Sequence, residues 1–109
     1  MATTKAQSQQ VIFRAIADPT RREILSLLRA GPLAVGELAG NFDTSRPAIS
    51  KHLRLLKSAG LIVARQQGTA NICELNARPL RAVNDWLSDY RSFWKATLRG
   101  LKKHVEEDR

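Results

Sequence analysis

The stretch SRPAISKHLRLLKSAGLI, residues 45–62, decides the fold. Ser45 is suited to cap a helix, because its hydroxyl can accept a backbone N–H of the first turn, where Pro47 is also tolerated. Gly60 is placed to end that helix. Three apolar residues recur at helical spacing and predict one buried face: Ile49, Leu53 and Leu56. The stretch therefore predicts an amphipathic helix that runs from about Ser45 to Gly60.

The opposite face of this helix is polar and basic. From Thr44 to Cys73 there is no acidic residue, whereas five residues are basic: Arg46, Lys51, Arg54, Lys57 and Arg65. Solvated helix faces usually mix both signs, so an unopposed positive field favours a polyanionic partner such as DNA. A helix that enters the major groove contacts bases with polar or basic side chains near its N-terminus. We expect base contacts from Arg46, Ser50 and Lys51, phosphate contacts from Arg54 and Lys57, and further contacts from the first turn, at Ser45 and Pro47.

A shorter helix is predicted immediately before this one, within the range 34–60. Its apolar residues are Val35, Leu38, Ala39 and Phe42. Only about Gly40 to Thr44 separates the two helices, which is the spacing of a helix-turn-helix. Further upstream, Asp18 can cap a helix that begins at Pro19 and extends to about Ala30, and an earlier helix over residues 8–17 ends before the Asp18-Pro19 pair.

The period changes after Leu61, and residues 61–76 predict a two-stranded β-hairpin, LIVARQQ and NICEL, joined at Gly68-Thr69. A hairpin that follows a helix-turn-helix is a wing. Arg65 and Gln67, with Gln66 and Thr69, could reach sugar-phosphate or the minor groove, where arginine is favoured. Since the hairpin carries one cation before the turn and none after it, we expect the wing to add little affinity.

Pro79 opens the last predicted helix, over residues 79–106. Apolar residues three and four apart form a stripe along its whole length: Val83, Leu87, Tyr90, Trp94, Leu98, Leu101 and Val105, with Trp86 and Phe93 alongside. A stripe of that length favours a dimer core over the lining of a small-molecule pocket. We expect the last helix to pack with the first in a homodimer, whose interface residues are Val11, Ile12, Trp86, Leu87, Tyr90, Trp94, Leu98 and Leu101.

The composition sets limits on the class of protein. The 109 residues fit a single domain, 1–109, and 43% hydrophobic residues can supply a modest core. A net charge of +8 suits DNA or an anionic membrane, but no apolar run approaches the length of a membrane span. The single cysteine, Cys73, excludes an intrachain disulfide and suits a reducing cytoplasm. We therefore expect a cytoplasmic protein, with no cofactor and no membrane partner, and the absence of catalytic motifs indicates that it is not an enzyme.

The segments AIADPTRREILSLL, ELAGNF and SRPAISKHLRLLKSAGLI, followed by the long last helix with Trp and Tyr, resemble the ArsR family of bacterial winged-helix repressors. The resemblance extends from about Val11 to His104. It implies a homodimer built on the first and last helices, binding to an operator, and release by some effector. The chain is most similar to the branch that lacks the metal-binding cysteines.

Two departures from that family bear on the site. Asp43 and Thr44 stand where relatives commonly have Gly and an apolar residue, so we expect slight strain in the turn. Metal-sensing relatives carry a cysteine pair in the third helix, where this chain has AVGELAGNF. A last-helix metal site is only half matched by His104 and Glu107, since Arg91 and Phe93 stand at its other positions, and half a site does not hold zinc tightly. We therefore predict no metal site.

Five other residues that carry chemistry have simpler explanations. Cys73 is expected to be half-buried, and a lone thiol could at most form an intermolecular link or be oxidised reversibly. His52 is expected to pack or to contact a phosphate. Asp18, Arg21 and Arg22 could suggest an active-site cluster, but capping explains Asp18 and solvation explains the two arginines.

The sequence thus predicts a mainly helical α+β protein, a winged helix-turn-helix with long terminal dimerisation helices and a two-stranded wing. Its expected function is sequence-specific transcriptional regulation, as a repressor that binds double-stranded DNA at an inverted repeat as a homodimer, with an effector that the sequence does not identify. A metal- or redox-responsive repressor of the same fold is one alternative. A protein-interaction module on this scaffold would need mixed charge on the fourth helix, and a membrane-surface binder would need exposed apolar residues beside the cations.

Overall fold

The computed structural model describes residues 4–95 and residue 100, within which helices and a small sheet alternate. The helices are α1 (Lys5–Ile16), α2 (Pro19–Leu28), α3 (Val35–Ala39), α4 (Arg46–Ser58) and α5 (Arg81–Ser88). The strands are β1 (Leu33–Ala34), β2 (Ile62–Gln67) and β3 (Ala70–Leu75), and a 3-10 turn (Arg78–Leu80) precedes α5. No helix in these ranges is long and apolar enough to cross a membrane.

The sheet has three antiparallel strands in the order β1-β3-β2. The predicted hairpin is confirmed as β2 and β3, and its two-residue turn has a positive φ of 62° at Gly68, as a type II′ turn requires. The sheet also contains a third strand that the sequence did not predict, β1, because Leu33 pairs with Cys73. A strand of two residues is too short to show the alternation of apolar and polar residues that predicts a strand.

Side-chain caps fix where three helices begin. The Asp18 carboxylate accepts the backbone N–H of Arg21 at 3.0 Å, and Ser45 Oγ accepts that of Ala48 at 3.3 Å, so both predicted caps are confirmed. Thr4 and Gln7 form a reciprocal capping box, which starts α1 earlier than the predicted range 8–17. Gly60, with a φ of 77°, follows the end of α4 as predicted.

The last helix departs from its predicted range of 79–106. The chain passes through the 3-10 turn before α5, which ends at Ser88; a turn at residues 89–90 follows, and residues 91–95 are helical again. The turn is closed by a short-range bond in which Tyr90 N–H donates to Leu87 O at 2.9 Å. An apolar stripe predicts which face of a helix is buried, but it does not predict where the helix is interrupted by a tighter turn. Leu98, Leu101 and Val105 lie outside the described residues.

The core lies where α4 packs against α2 and β2, and where α3 packs against β1 and β3. Ile49, Leu53 and Leu56 of α4 are buried as predicted, together with Ile24 and Leu28 of α2, Leu38 of α3, and Leu61, Ile62 and Cys73 of the wing. Fully burying one Ile or Leu side chain stabilises a fold by about 1.5–3 kcal/mol. The apolar face of α4 is therefore held firmly against the protein, and its polar face is left outside.

The turn between α3 and α4 is not strained in the way that was predicted. Among the residues that the structure describes, positive φ values occur only at Gly31, Gly60 and Gly68. Asp43 and Thr44 therefore stay in ordinary backbone regions, because this turn does not use the left-handed conformation that favours glycine.

Arg21 and Arg22 hold the end of α1, which corrects the prediction that they are merely solvated. Arg21 donates to the backbone oxygens of Ala15 and Arg14, at 2.6 and 3.1 Å, and Arg22 donates to those of Ile16 and Ala17, at 2.8 and 3.1 Å. Only Ala17 and Asp18 separate α1 from α2, so the unpaired carbonyls at the end of α1 face the first turn of α2.

The cap at Asp18 makes the stability of the chain depend on acidity. The backbone N–H of Arg21 lowers the pKa of Asp18 below its ordinary value of 3.8, with further lowering from His52 and Arg21, while partial desolvation opposes these effects. A lowered pKa contributes stability above pH 3.8, and that contribution is lost as the pH falls through the pKa of the folded state.

We expect Asp18→Ala to lower the free energy of unfolding at neutral pH by about 0.5–2 kcal/mol, since alanine cannot cap. Asp18→Asn retains the cap and loses only the charge, so its deficit should be smaller. It should shrink as the pH falls below 3.8 and vanish below the lowered pKa of folded Asp18, where the wild-type carboxyl is neutral. Urea titrations at several pH values measure both variants. A deficit of Asp18→Asn that stays constant down to the most acidic pH would contradict the role of the charge.

Candidate nucleic-acid interface

One side of α4 presents a basic face, by which we mean Arg46, Ser50, Lys51, Arg54 and Lys57. Four of these side chains are exposed and Ser50 is half-buried. Because successive residues of a helix are rotated by about 100°, the five positions fall within one arc of about 140°, clear of the buried Ile49 and Leu56. The residues predicted to contact DNA from this helix are thus brought together on one accessible surface. Ser45 and Pro47, also exposed, lie at its N-terminal end.

Arg46 lies where the two helices of the helix-turn-helix meet. A β-carbon added to Gly36 in α3 would lie 4.0 Å from Nη2 of Arg46, which is ordinary van der Waals contact. The guanidinium therefore extends over the first turn of α3 as well as over the start of α4. This position places a planar group with five donors at the N-terminal end of the basic face.

The wing carries a charge pair that the sequence analysis missed. Arg65 Nη1 lies 2.8 Å from Oε2 of Glu74, and both side chains are about half exposed. In the strand register Arg65 stands opposite Ile72, two residues from Glu74, so the two ions are diagonal neighbours on one face. The acid-free segment, residues 44–73, ends one residue before Glu74, so the sequence analysis did not consider this acid. The register set by a two-residue turn at Gly68-Thr69 predicts that Arg65 and Glu74 are diagonal neighbours. Gln67 is exposed at the end of β2, beside the turn.

The residues predicted for the dimer interface divide into four groups. Val11, Trp86, Tyr90 and Trp94 are exposed and Leu87 is half-buried, whereas Leu98 and Leu101 lie outside the described residues. Ile12 is only 5% exposed and belongs to the core of the chain itself, so its inclusion is corrected: its neighbour Val11, 45% exposed, faces outward.

A row of aromatic rings joins α1 to the last helices. Phe13 contacts Trp86 edge to face, with ring centroids 5.6 Å apart, and Trp86 continues to Tyr90 at 4.9 Å and Tyr90 to Phe93 at 6.5 Å. We call these four residues the aromatic row. Phe93 is 80% exposed, a large apolar surface for a side chain with no polar group. Phe13 was not predicted, because it lies on the first helix and its partner Trp86 lies on the last, so that no local pattern connects them.

Neither a thiol switch nor a metal cluster is visible in the part of the chain that the structure describes. Cys73 is fully buried rather than half-buried, and this burial raises the pKa of its thiol, with a smaller opposing effect from Lys57. An intermolecular link would need an exposed sulfur, so that expectation is corrected. Within residues 4–95 and 100, no group of three or more His, Cys, Asp or Glu could hold a metal, while His104 and Glu107 fall outside the described residues.

Known proteins with this combination of features regulate transcription. The family model of the bacterial regulatory proteins of the arsR family matches residues 18–63. The HTH-type transcriptional regulator Rv2034 of Mycobacterium tuberculosis is 41% identical over 96 residues, which cover 88% of this chain and 87% of the relative. The transcriptional repressor SdpR of Bacillus subtilis is 39% identical over 79 residues, covering 72% of this chain and 88% of SdpR.

Solved structures agree with these sequence relatives. The crystal structure of the ArsR family transcriptional regulator RHA00566 superposes with a TM-score of 0.76 at 38% identity, over 87% of this chain and 97% of that one. These similar proteins are regulators, which confirms the prediction that the chain is not an enzyme. The chain belongs to the ArsR family of bacterial regulatory proteins and is a transcription regulator with a winged helix-turn-helix DNA-binding domain.

Proposed function

We propose that the chain represses transcription as a homodimer that places α4 in the major groove at each half of an inverted repeat. The observation that carries this proposal is the division of α4 into a buried apolar face and an acid-free basic face. A helix fixed in this way can enter the groove without rearranging the protein. Repression, rather than activation, is the function named for SdpR, and we extend it to this chain.

The two ends of α4 have different roles in this proposal. Arg46, Ser50 and Lys51 stand in its N-terminal half, where helices of this class approach base edges. Arg54 and Lys57 stand further along the same face, where the helix leaves the groove and phosphates line its path. Base contacts give specificity, whereas phosphate contacts give affinity that depends on salt.

The wing contributes little charge to binding. Its only cation, Arg65, is matched by Glu74, so that the hairpin is electrically neutral over residues 61–76. An exposed pair of this kind is worth less than about 1 kcal/mol, and a phosphate can compete with Glu74 for the guanidinium. Gln67, next to the turn, remains able to donate a hydrogen bond to the DNA backbone.

The homodimer accounts for the apolar surface on α1 and the last helices. A small chain that leaves Val11, Tyr90 and the 80%-exposed Phe93 in water gains by burying them against a second copy. A two-fold dimer also presents two α4 helices in opposite directions, which matches an inverted repeat with half-sites about 34–36 Å apart. No acid lies within residues 44–73, which include the basic face, so the mixed charge that a protein-interaction module would need on α4 is not found there.

Arg46→Ala and Lys57→Ala separate base from phosphate contacts. We expect Arg46→Ala to cost about 1–3 kcal/mol on the operator and little on random DNA. Lys57→Ala should weaken both alike and should reduce the slope of log affinity against log salt by about 0.9. Fluorescence anisotropy on both duplexes at several salt concentrations measures these effects. Equal losses on both DNAs for Arg46→Ala would show that the helix docks in another register, and unchanged binding for both variants would exclude α4 as the DNA-binding element.

Glu74→Gln tests the neutral wing. Removing the carboxylate frees Arg65, so we expect tighter binding to operator and random DNA alike, by about three- to fivefold at low salt. The salt slope should steepen by up to about 0.9, the value of one added phosphate contact. The matched control is Glu74→Gln combined with Arg65→Gln, in which the gain should disappear. If Glu74→Gln binds like wild type with the same slope, Arg65 does not reach DNA.

Trp94→Asp tests the dimer, with Trp94→Phe as the control at the same position. An unpaired carboxylate buried between two protomers costs about 3 kcal/mol or more, which weakens dimerisation by at least about 100-fold. Trp94→Phe keeps an aromatic ring and should remain dimeric. Sedimentation equilibrium at micromolar concentration distinguishes the species. A wild-type chain that sediments as a monomer at that concentration would refute the homodimer.

A further inference from the structure

One guanidinium joins three elements of the chain. Arg21, in the first turn of α2, holds the end of α1 through the backbone oxygens of Ala15 and Arg14. Its Nη1 also lies 3.2 Å from Nδ1 of His52, which belongs to α4. The same side chain therefore contacts the helix proposed for the dimer interface and the helix proposed for the major groove.

The chemistry of this contact selects one tautomer of a neutral imidazole. A guanidinium can only donate hydrogen bonds, so Nδ1 of His52 must accept, and the proton of the neutral ring must lie on Nε2. Asp18 stands on the same side, with Oδ2 3.9 Å from Nδ1, and it accepts the backbone N–H of Arg21 at 3.0 Å. The carboxylate thus holds the start of α2, while the guanidinium is aimed at His52.

His52 occupies a different side of α4 from the basic face. It lies about 160° around the helix axis from both Ser50 and Arg54, since each residue advances the helix by about 100°. Only 22% of its side chain is exposed, and the ring faces the interior contact with Arg21. This geometry disfavours the phosphate contact that the sequence left open for His52.

We propose that Arg21 and His52 form a positioning link that sets the orientation of α4 relative to α1 and so determines how well the protein distinguishes its operator from other DNA. The proposal rests on the proposed function, because the role it assigns to Arg21 and His52 is measured through the discrimination between operator and other DNA. Base contacts tolerate little misplacement, whereas phosphate contacts on flexible lysine and arginine side chains tolerate more. Loss of the link should therefore reduce specificity more than affinity.

His52→Asn and His52→Leu form a matched pair for the test. The two side chains have nearly the same size and shape, but only asparagine offers an acceptor, Oδ1, at the position of Nδ1. We expect His52→Leu to lower the ratio of operator to random affinity by about tenfold with an unchanged salt slope, and His52→Asn to retain most of the ratio. Thermal unfolding of each variant records any loss of stability separately.

Three results would overturn the link. The first is a His52→Leu protein that melts at a lower temperature but keeps the wild-type affinity ratio, since the contact would then be structural only. The second is an equal loss on both DNAs, with a flatter salt slope, in both His52 variants, since His52 would then contact a phosphate itself. The third needs no variant: long-range ¹⁵N–¹H NMR spectra of the wild type at neutral pH should show the proton of His52 on Nε2, and a proton on Nδ1 contradicts the contact.

The proposed function can fail separately in these experiments. If wild-type protein does not discriminate between the operator and random DNA, the proposed function is wrong and the positioning link fails with it. If the wild type discriminates and His52→Leu does so equally well, the link alone is wrong.

Discussion

The burial of one face of α4 is the constraint on which the rest of the structure depends. Ile49 and Leu56 are completely shielded from water by α2, α3 and the wing, and Leu53 is almost so. Rotating α4 about its axis would expose these side chains, at a cost of about 1.5–3 kcal/mol for each. The same packing therefore holds the chain together and directs the basic face outward. The buried face of α4 thus stabilises the fold, and its basic face is the one proposed to recognise DNA.

Charge is distributed differently on α4 and on the wing. The cations of the basic face have no acid within residues 44–73, so their field adds without opposition. The wing behaves differently, because Glu74 is paired with Arg65. We propose that the neutral wing limits attraction to DNA of any sequence, so that binding depends more on the proposed groove contacts of α4. The aromatic row serves another purpose, since it has no role in attracting a polyanion and lies on α1 and the last helices.

The sequence predicted those features that depend on neighbours within one turn or one hairpin. The Ser45 cap, the Asp18-Pro19 helix start and the turn at Gly68 are local, and each appears in the structure where its residues predicted it. The strand β1 was not predicted, because it exists only through its pairing with β3. The contacts of Arg21 were not predicted for a similar reason, since its partners on α1 and α4 are brought together only by the packing of three helices. In the sequence alone, an arginine near a helix start has the pattern of a solvated residue.

Methylation interference on an operator selected from bound genomic fragments tests the central claim, that α4 reads the major groove, most directly. A methyl group at N7 of guanine lies in the major groove, whereas one at N3 of adenine lies in the minor groove. We expect N7 methylation to block binding in two clusters about 10 base pairs apart, related by the symmetry of the inverted repeat, while N3 methylation within the clusters has little effect. Interference confined to adenine N3, or absent at every guanine, would contradict the claim.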